Sequence, residues 1–383
     1  MLYKIGVHMS ELMYKKDLCP NNKVKNLIEQ GRILDFRDEK WAHPAIREHM
    51  IPWHNPSLCD ASLLYNPDVS KEEKIKMGTK LEEDVKKITA QPGGLQYECD
   101  IQTYVVPGCP EEPEAEVEIQ VYRPKNAKKR KARCMFYCIG GGLVLVSPES
   151  FPIPEIATRY NCVLVTVIYR KSYIAEYPAA INDLHAGYQW MTEHAEELGI
   201  NSDNVVIQGC SSGGHLALAL GFRLKRYGYS PKGIVAAVPQ TDDREKGYTG
   251  VYDGMWDTVN QHNALKQWLG TNFASSLVGP EALANHATVE ECIGYPPTFI
   301  HTTEFDPDRH FCREFYGKLL EARTYAEFHS WGGAQHCSPW QGVTNPGEVS
   351  DYTKVVKVVY DANVEDCFKY DLRRPWVAEE YRK

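Results

Sequence analysis

An α/β fold, with a mostly parallel central sheet flanked by helices, is what this sequence predicts, and three observations predict it. Apolar runs of strand length alternate with longer segments of helical period. One glycine-rich turn joins such a run directly to such a helix. Residues 1–90 have another character, charged, aromatic and broken by Pro44, Pro52, Pro56 and Pro67, which suits a cover better than a sheet.

Taken in order, eight segments read as strands. Residues 95–106 (LQYECDIQTYVV) and 115–124 (AEVEIQVYRP) alternate with period two; residues 134–139 (CMFYCI) and 162–170 (CVLVTVIYR) are buried runs. Residues 204–209 (NVVIQG), 233–239 (GIVAAVP), 298–304 (TFIHTTE) and 326–331 (AEFHSW) complete the set. Helices are predicted over 154–160, 179–198, from His215 onward, over 309–323 and near 351–360, with two more at 23–30 and 71–88. Strands alternating with helices call for a parallel sheet covered on both faces. Residues 240–295 interrupt that rhythm. They carry Tyr248, Tyr252, Trp256, Trp268 and Phe273, and are predicted to form a cap with the N-terminal region over an apolar pocket. The expected organisation is a helical cap over 1–90 and a catalytic domain over 91–383, with a cap insertion near 240–295.

The chain of 383 residues is long enough to bury a large core without staples. Its formal net charge of −8 argues against nucleic-acid or anionic-membrane partners, which need a concentrated positive field. The one basic run, residues 125–133 (KNAKKRKAR), lies between two strands and reads as a solvated loop. Twelve cysteines show no zinc spacing and no framework of a small secreted domain. They are expected to be reduced thiols, and the protein cytoplasmic. The opening residues MLYKIGVHMSELMYKK lack the apolar core and cleavage site of a signal peptide, and no run reaches membrane-spanning length.

Chemistry concentrates at Gly209-Cys210-Ser211-Ser212-Gly213, a G-x-S-x-G between a buried strand and a helix. On so sharp a turn the central serine projects above the sheet, and the helix N-terminus faces developing negative charge. Gly140-Gly141-Gly142 follows an earlier strand, where backbone N–H groups without side chains in the way suit an acyl oxyanion. His336 stands apart from the other histidines because it occupies a glycine-rich loop after the last strand. Asp306, just past a strand and before a proline, competes with Asp308 and Glu304 as its carboxylate partner; Glu304 is expected to brace the loop. His301 and His310 with Asp308 suggest a metal site, but no H-x-x-x-H or H-E-x-x-H pattern supports one. With no G-x-G-x-x-G and no P-loop either, no cofactor is expected.

These residues fall into five blocks that resemble the hormone-sensitive lipase-like family of α/β-hydrolase esterases, over residues 95–340. The blocks are IGGGLVLVSPES (139–150), YRKSYIAEYPAAIND (169–183), GCSSGGHLA (209–217), PPTFIHTTEFDPDRH (296–310) and GGAQHC (332–337). The resemblance implies the α/β-hydrolase fold, a catalytic triad of Ser211, Asp306 and His336, and an oxyanion hole from the N–H groups of Gly140, Gly141 and Ser212. It implies serine-dependent hydrolysis of a small-molecule carboxylic ester. The chain departs from the family pattern at Ile139, where the family has histidine, at Cys210, where it has aspartate, and at His310, where it has aspartate. Ile139 cannot donate the hydrogen bonds that would fix the glycine loop, and Cys210 reads as a packed thiol. Lactone or amide cleavage on the same triad, or a catalytically weak ligand-binding role, are the alternatives. Helices at either end of the chain offer a face for a homodimer.

Overall fold

The computed structural model describes residues 64–89, 99–244, 258–304, 306, 308–334, 336–337 and 351–374. The helix expected over 23–30, most of the proposed N-terminal cap, and Tyr248, Tyr252 and Trp256 of the insertion lie outside these residues.

Eight strands form one sheet: β1 (Cys99–Pro107), β2 (Glu116–Pro124), β3 (Ala132–Cys138), β4 (Val163–Val167), β5 (Ile200–Cys210), β6 (Gly233–Ala237), β7 (Thr298–Thr303) and β8 (Ala326–Trp331). Their order is β1-β2-β4-β3-β5-β6-β7-β8. The β1–β2 and β2–β4 pairs are antiparallel, and every pair from β4 across to β8 is parallel. The reason is legible in composition. Every residue of β4 (VLVTV) and β6 (GIVAA) is buried, as strands covered on both faces must be. In β2 the burial alternates at its start, as in a strand with one wet face. The basic run forms the β2–β3 loop, where Lys125, Lys128, Lys129, Arg130 and Lys131 are exposed.

Helices α1 (Lys71–Thr89), α2 (Ile153–Arg159), α3 (Ala179–Glu193), α4 (Ser212–Arg226), α5 (Thr258–Leu269), α6 (Val289–Cys292), α7 (Arg309–Glu321) and α8 (Asp351–Lys369) complete the described elements. Three depart from expectation. Helix α3 stops at Glu193, short of residue 198, because the chain turns through Gly199 at φ +59 to enter β5, in space that Lys129 O closes to any side chain. Helix α4 starts three residues before His215, directly at the turn. Helix α8 runs past Tyr360 because Val356, Tyr360, Val364 and Cys367 recur at helical spacing on its buried side, over β5 and β6.

Since β4 to β8 run the same way, their C-terminal ends share one edge of the sheet. From β3 the chain first crosses to β4 on one side, then returns to β5 on the other. A crevice at such a switch point is where open α/β sheets place their ligands. Residues 64–89 cover this edge. Leu64, Val144 and Tyr173 form a small apolar cluster with Tyr65, Met77, Leu81 and Ile174 against it. Lys171 Nζ meets Glu82 at 2.7 Å, and Lys74 Nζ donates to Gln267 of α5 at 2.7 Å. Gln267 in turn donates to Ser172 at 2.9 Å, so α1, α5 and the loop after β4 are tied together. Trp268, one of the aromatics of the proposed cap insertion, is fully buried, with its ring edge-on to Tyr177 (5.2 Å) and His215 (4.7 Å). Its aromatic surface is used in packing.

Three histidines, His185, His215 and His301, are buried in this frame, and burial is the first cause that lowers each, to about 4, 4 and 3. His301 is also fixed neutral by geometry. Its Nδ1 accepts from the Trp331 indole at 3.3 Å, while its Nε2 faces Asn363 Oδ1 at 2.9 Å. A folded pKa below the unfolded value near 6.5 means that the unfolded chain binds more protons as pH falls. Stability is therefore expected to be fully present above about pH 6.5 and to fall toward pH 4, by up to about 1.4 kcal/mol per histidine per pH unit. Denaturant midpoints measured between pH 7.5 and 4.5 check this. A flat profile would show that the three are not held neutral.

Candidate active site

Strand β5 ends at Cys210 and α4 begins at Ser212, leaving Ser211 between them at φ +59 and ψ −130. A residue with a side chain in this region costs on the order of 1–3 kcal/mol and persists only where its surroundings enforce it. Here they do. Ser211 N donates to Ala237 O of β6 at 2.8 Å, and Ser211 O accepts from His215 N at 3.0 Å. The turn is pressed against its neighbours. A Cβ on Gly209 would lie 2.2 Å from Gly213 O, and one on Gly213 would lie 2.2 Å from Cys138 O. The two glycines of the motif are thus required by contact with each other and with β3.

The structure brings Ser211, His336 and Asp306 together. His336 Nε2 lies 2.9 Å from Ser211 Oγ, and His336 Nδ1 lies 2.5 Å from Asp306 Oδ2. His336 and Asp306 are both buried. The second oxygen of Asp306 accepts from Asp308 N at 3.0 Å, so the carboxylate is held at both ends. Asp308 serves as the N-cap residue of α7. Glu304 braces the histidine loop as expected, since its Oε2 accepts from Gly333 N at 2.6 Å. His301, grouped with Asp308 and His310 from the sequence, spends both ring nitrogens on Trp331 and Asn363, and His310 lies 3.1 Å from Glu314.

The glycine loop after β3 lies against the same turn, and a Cβ on Gly140 would sit 2.5 Å from Cys210 O. Gly141 has φ +113, a conformation that requires glycine. Ile139 is buried as an apolar side chain, so it takes no part in fixing the loop. Two tyrosines do. Tyr169 OH donates to Ile139 O at 2.8 Å, and Tyr65 OH donates to Gly142 O at 2.8 Å. Because a peptide unit is planar and trans, fixing the Ile139 carbonyl also aims the Gly140 N–H in the opposite direction. The Ser211 carbonyl, held by His215 N, aims the Ser212 N–H in the same way. Burial pushes the Tyr169 phenol far above its usual range, so it remains a donor. Neither tyrosine was singled out from the sequence, although Tyr169 opens the second block of the resemblance. Tyr169→Phe is expected to lower kcat about tenfold with little change in KM, a partial form of the roughly 100- to 1000-fold loss on removing an oxyanion donor. Steady-state kinetics on a small ester checks this.

The rest of that second block is structural. Arg170 binds Asp183 (3.0 Å from Nε) and Glu112 (2.7 Å from Nη1), clamping the loop after β4 to α3 and to the β1–β2 connection. Cys210 and Cys337 flank the triad in sequence, and their sulfurs are 3.5 Å apart. Among the described residues two clusters offer metal-binding donor atoms within 4.8 Å of one another: Cys109, Glu111 and His185, and Asp242, Asp243 and His286. Their carboxylates are engaged with protein groups. Glu111 takes Arg226 (3.0 Å) and Tyr227 (2.6 Å). Asp242 takes Arg244 and Asn285, and Asp243 takes Ala274 N (2.6 Å) and His286 (2.7 Å).

Comparison with known proteins agrees with this architecture. A family model of the α/β-hydrolase fold matches residues 135–339, more than half of the chain. A carboxylesterase/phospholipase of Mycobacterium tuberculosis, LipF, is 25% identical over 253 residues, 64% of this chain and 66% of that protein. The chain thus spans just under two thirds of that relative's length. An acetyl esterase of Salmonella paratyphi B is 25% identical over 248 residues, 61% of this chain and 72% of that protein. Among solved structures, a bacterial heroin esterase superposes with a TM-score of 0.67 at 24% identity, covering 81% of this chain and 96% of that one. A fungal esterase of Rhizomucor miehei does so with 0.66 at 21% identity, covering 85% and 98%. At these identities the structures speak to the fold.

Proposed function

Since this chain belongs to the α/β-hydrolase fold family, in line with its hormone-sensitive lipase-like blocks, we propose that it hydrolyses carboxylic esters through an acyl-enzyme on Ser211. The observation that carries this reading is the hydrogen-bonded relay from Ser211 Oγ through His336 to Asp306, at the C-terminal edge of parallel strands. His336 Nε2 takes the hydroxyl proton as Ser211 attacks the ester carbonyl, and returns it to the leaving alcohol. It then activates water, which releases the acid and restores Ser211. Asp306 holds the Nδ1–H tautomer and stabilises the imidazolium. The N–H groups of Gly140, Gly141 and Ser212 receive the oxyanion.

The acetyl esterase among the relatives favours a small to medium uncharged ester. Residues 64–89 and α5, tied together by Lys74, Gln267 and Ser172, act as the described part of a cap that limits what reaches Ser211. Ten cysteines among the described residues are free thiols, which suits a reducing compartment such as the cytoplasm. No helix among the described residues is long and apolar enough to cross a membrane.

A fluorophosphonate probe, followed by peptide mapping, tests the reading. Stoichiometric adduct at Ser211, absent from Ser211→Ala, is expected, together with turnover of short-chain nitrophenyl esters. A folded protein that takes no label and turns over no ester would point instead to ligand binding on a disabled site.

A further inference from the structure

Cys210 immediately precedes Ser211 and Cys337 immediately follows His336, so the two residues that meet at the proposed catalytic relay each carry a thiol beside them. Those thiols are free, partly buried, and 3.5 Å apart between sulfurs. The other described cysteines differ: apart from Cys99, which contacts Thr158 and Pro154, all are buried. We propose that Cys210 and Cys337 form a redox-sensitive modification site, closing to a disulfide under a peroxide and thereby separating His336 from Ser211. Bond formation is independent of the ester-hydrolase reading; its consequence for activity rests on that reading.

The chemistry balances with hydrogen peroxide as the oxidant. One thiol sulfur attacks the peroxide, the O–O bond breaks, and a sulfenic acid and one water result. The second thiol attacks that sulfur, the S–S bond forms, the S–O bond breaks, and a second water leaves. Two thiols lose two electrons and two protons, and the peroxide takes up both. A dithiol reductant reverses the bond by exchange.

Geometry dictates which side gives way. A disulfide is about 2.0 Å long, so the sulfurs must close by roughly 1.5 Å. Cys210 ends β5 and is paired with Ala237 of β6, while the next residue donates its N–H to the same Ala237. Cys337 stands at φ +62 in the turn after β8, outside the sheet. The approach is therefore made by the loop carrying His336. That loop holds the 2.9 Å contact to Ser211 and the 2.5 Å contact to Asp306. Misplacing a reacting group by about 1 Å costs on the order of 100-fold in rate. The Cys210 thiol beside it, and then burial, keep Cys337 well above the usual thiol range. Cys337 therefore reacts slowly at neutral pH and faster as pH rises, since the thiolate is the reacting form.

The full-length protein, first reduced, is treated with hydrogen peroxide, quenched with catalase and alkylated, and its peptides are mapped by mass spectrometry. A second sample is taken for the rate of fluorophosphonate labelling at Ser211. The expected result is a peptide pair joined through Cys210 and Cys337, a labelling rate reduced about 100-fold, and recovery of both on dithiothreitol. Cys337→Ala is expected to label at the reduced wild-type rate with or without peroxide. Absence of the joined peptide overturns the proposal, as does a joined peptide with unchanged labelling. Equal loss of labelling in Cys337→Ala overturns it too, by placing the inhibitory oxidation elsewhere. A reduced protein that takes no label before any peroxide sinks the hydrolase reading and with it the switch, while the joined peptide still decides whether the bond forms.

Discussion

Ser211→Ala is expected to lower kcat on a small ester by roughly a million-fold, with His336→Ala close behind and the double variant no worse than either single one. The non-additivity follows from the contact between them. His336 Nε2 is 2.9 Å from Ser211 Oγ, and in the proposed mechanism its task is to take that one proton, so either deletion ends the same step. What remains is the stabilisation from aimed backbone N–H groups, which does not depend on Ser211 Oγ. Ser212 offers no second nucleophile, because its side chain is fully buried. Alanine keeps the Cβ that Ser211 carries at φ +59, so the strain of the turn is unchanged. The thermal midpoint of Ser211→Ala should stay within a few degrees of wild type. Residual activity within 100-fold of wild type would place acyl transfer elsewhere in the molecule.

The legible and illegible parts of this site divide along a physical line. Strand and turn signals are local. A run such as CVLVTVIYR bounded by polar residues carries its own burial pattern, and G-x-S-x-G between strand and helix carries its own backbone geometry. Ser211, His336 and Asp306 could be singled out because each sits at a loop whose local chemistry is unusual. Contacts set by strand order are not local. Tyr169 reaches Ile139 O only because β3 and β4 are neighbours in register, and the Cys210–Cys337 contact joins positions far apart in the chain. Trp268 packs against Tyr177 and His215, a contact that aromatic content alone does not reveal because it does not say which side of a helix is buried. The absence of histidine at Ile139 suggests lost preorganisation, yet the phenols of Tyr169 and Tyr65 hold carbonyls of the glycine loop from other elements.

Asp306→Asn is expected to lower kcat by roughly 10,000-fold while leaving KM and stability nearly unchanged. The size of the effect comes from a tautomer rather than from a lost contact. Asp306 accepts twice: from Asp308 N at 3.0 Å through Oδ1, and from His336 Nδ1 at 2.5 Å through Oδ2. Asparagine has one acceptor oxygen and one NH2 donor. The Asp308 N–H is a fixed donor, so the amide oxygen must face it and the NH2 must face His336. His336 Nδ1 then has to accept, which moves the ring proton to Nε2. An Nε2–H pointed at Ser211 Oγ cannot remove the hydroxyl proton, and the relay is reversed with every atom in place. Asp306→Ala, which dictates no tautomer, is expected to lose less activity than Asp306→Asn despite removing more of the side chain. The kcat values of the two variants, measured beside fluorophosphonate labelling at Ser211, separate this account from one based on charge alone, in which both variants would be impaired equally.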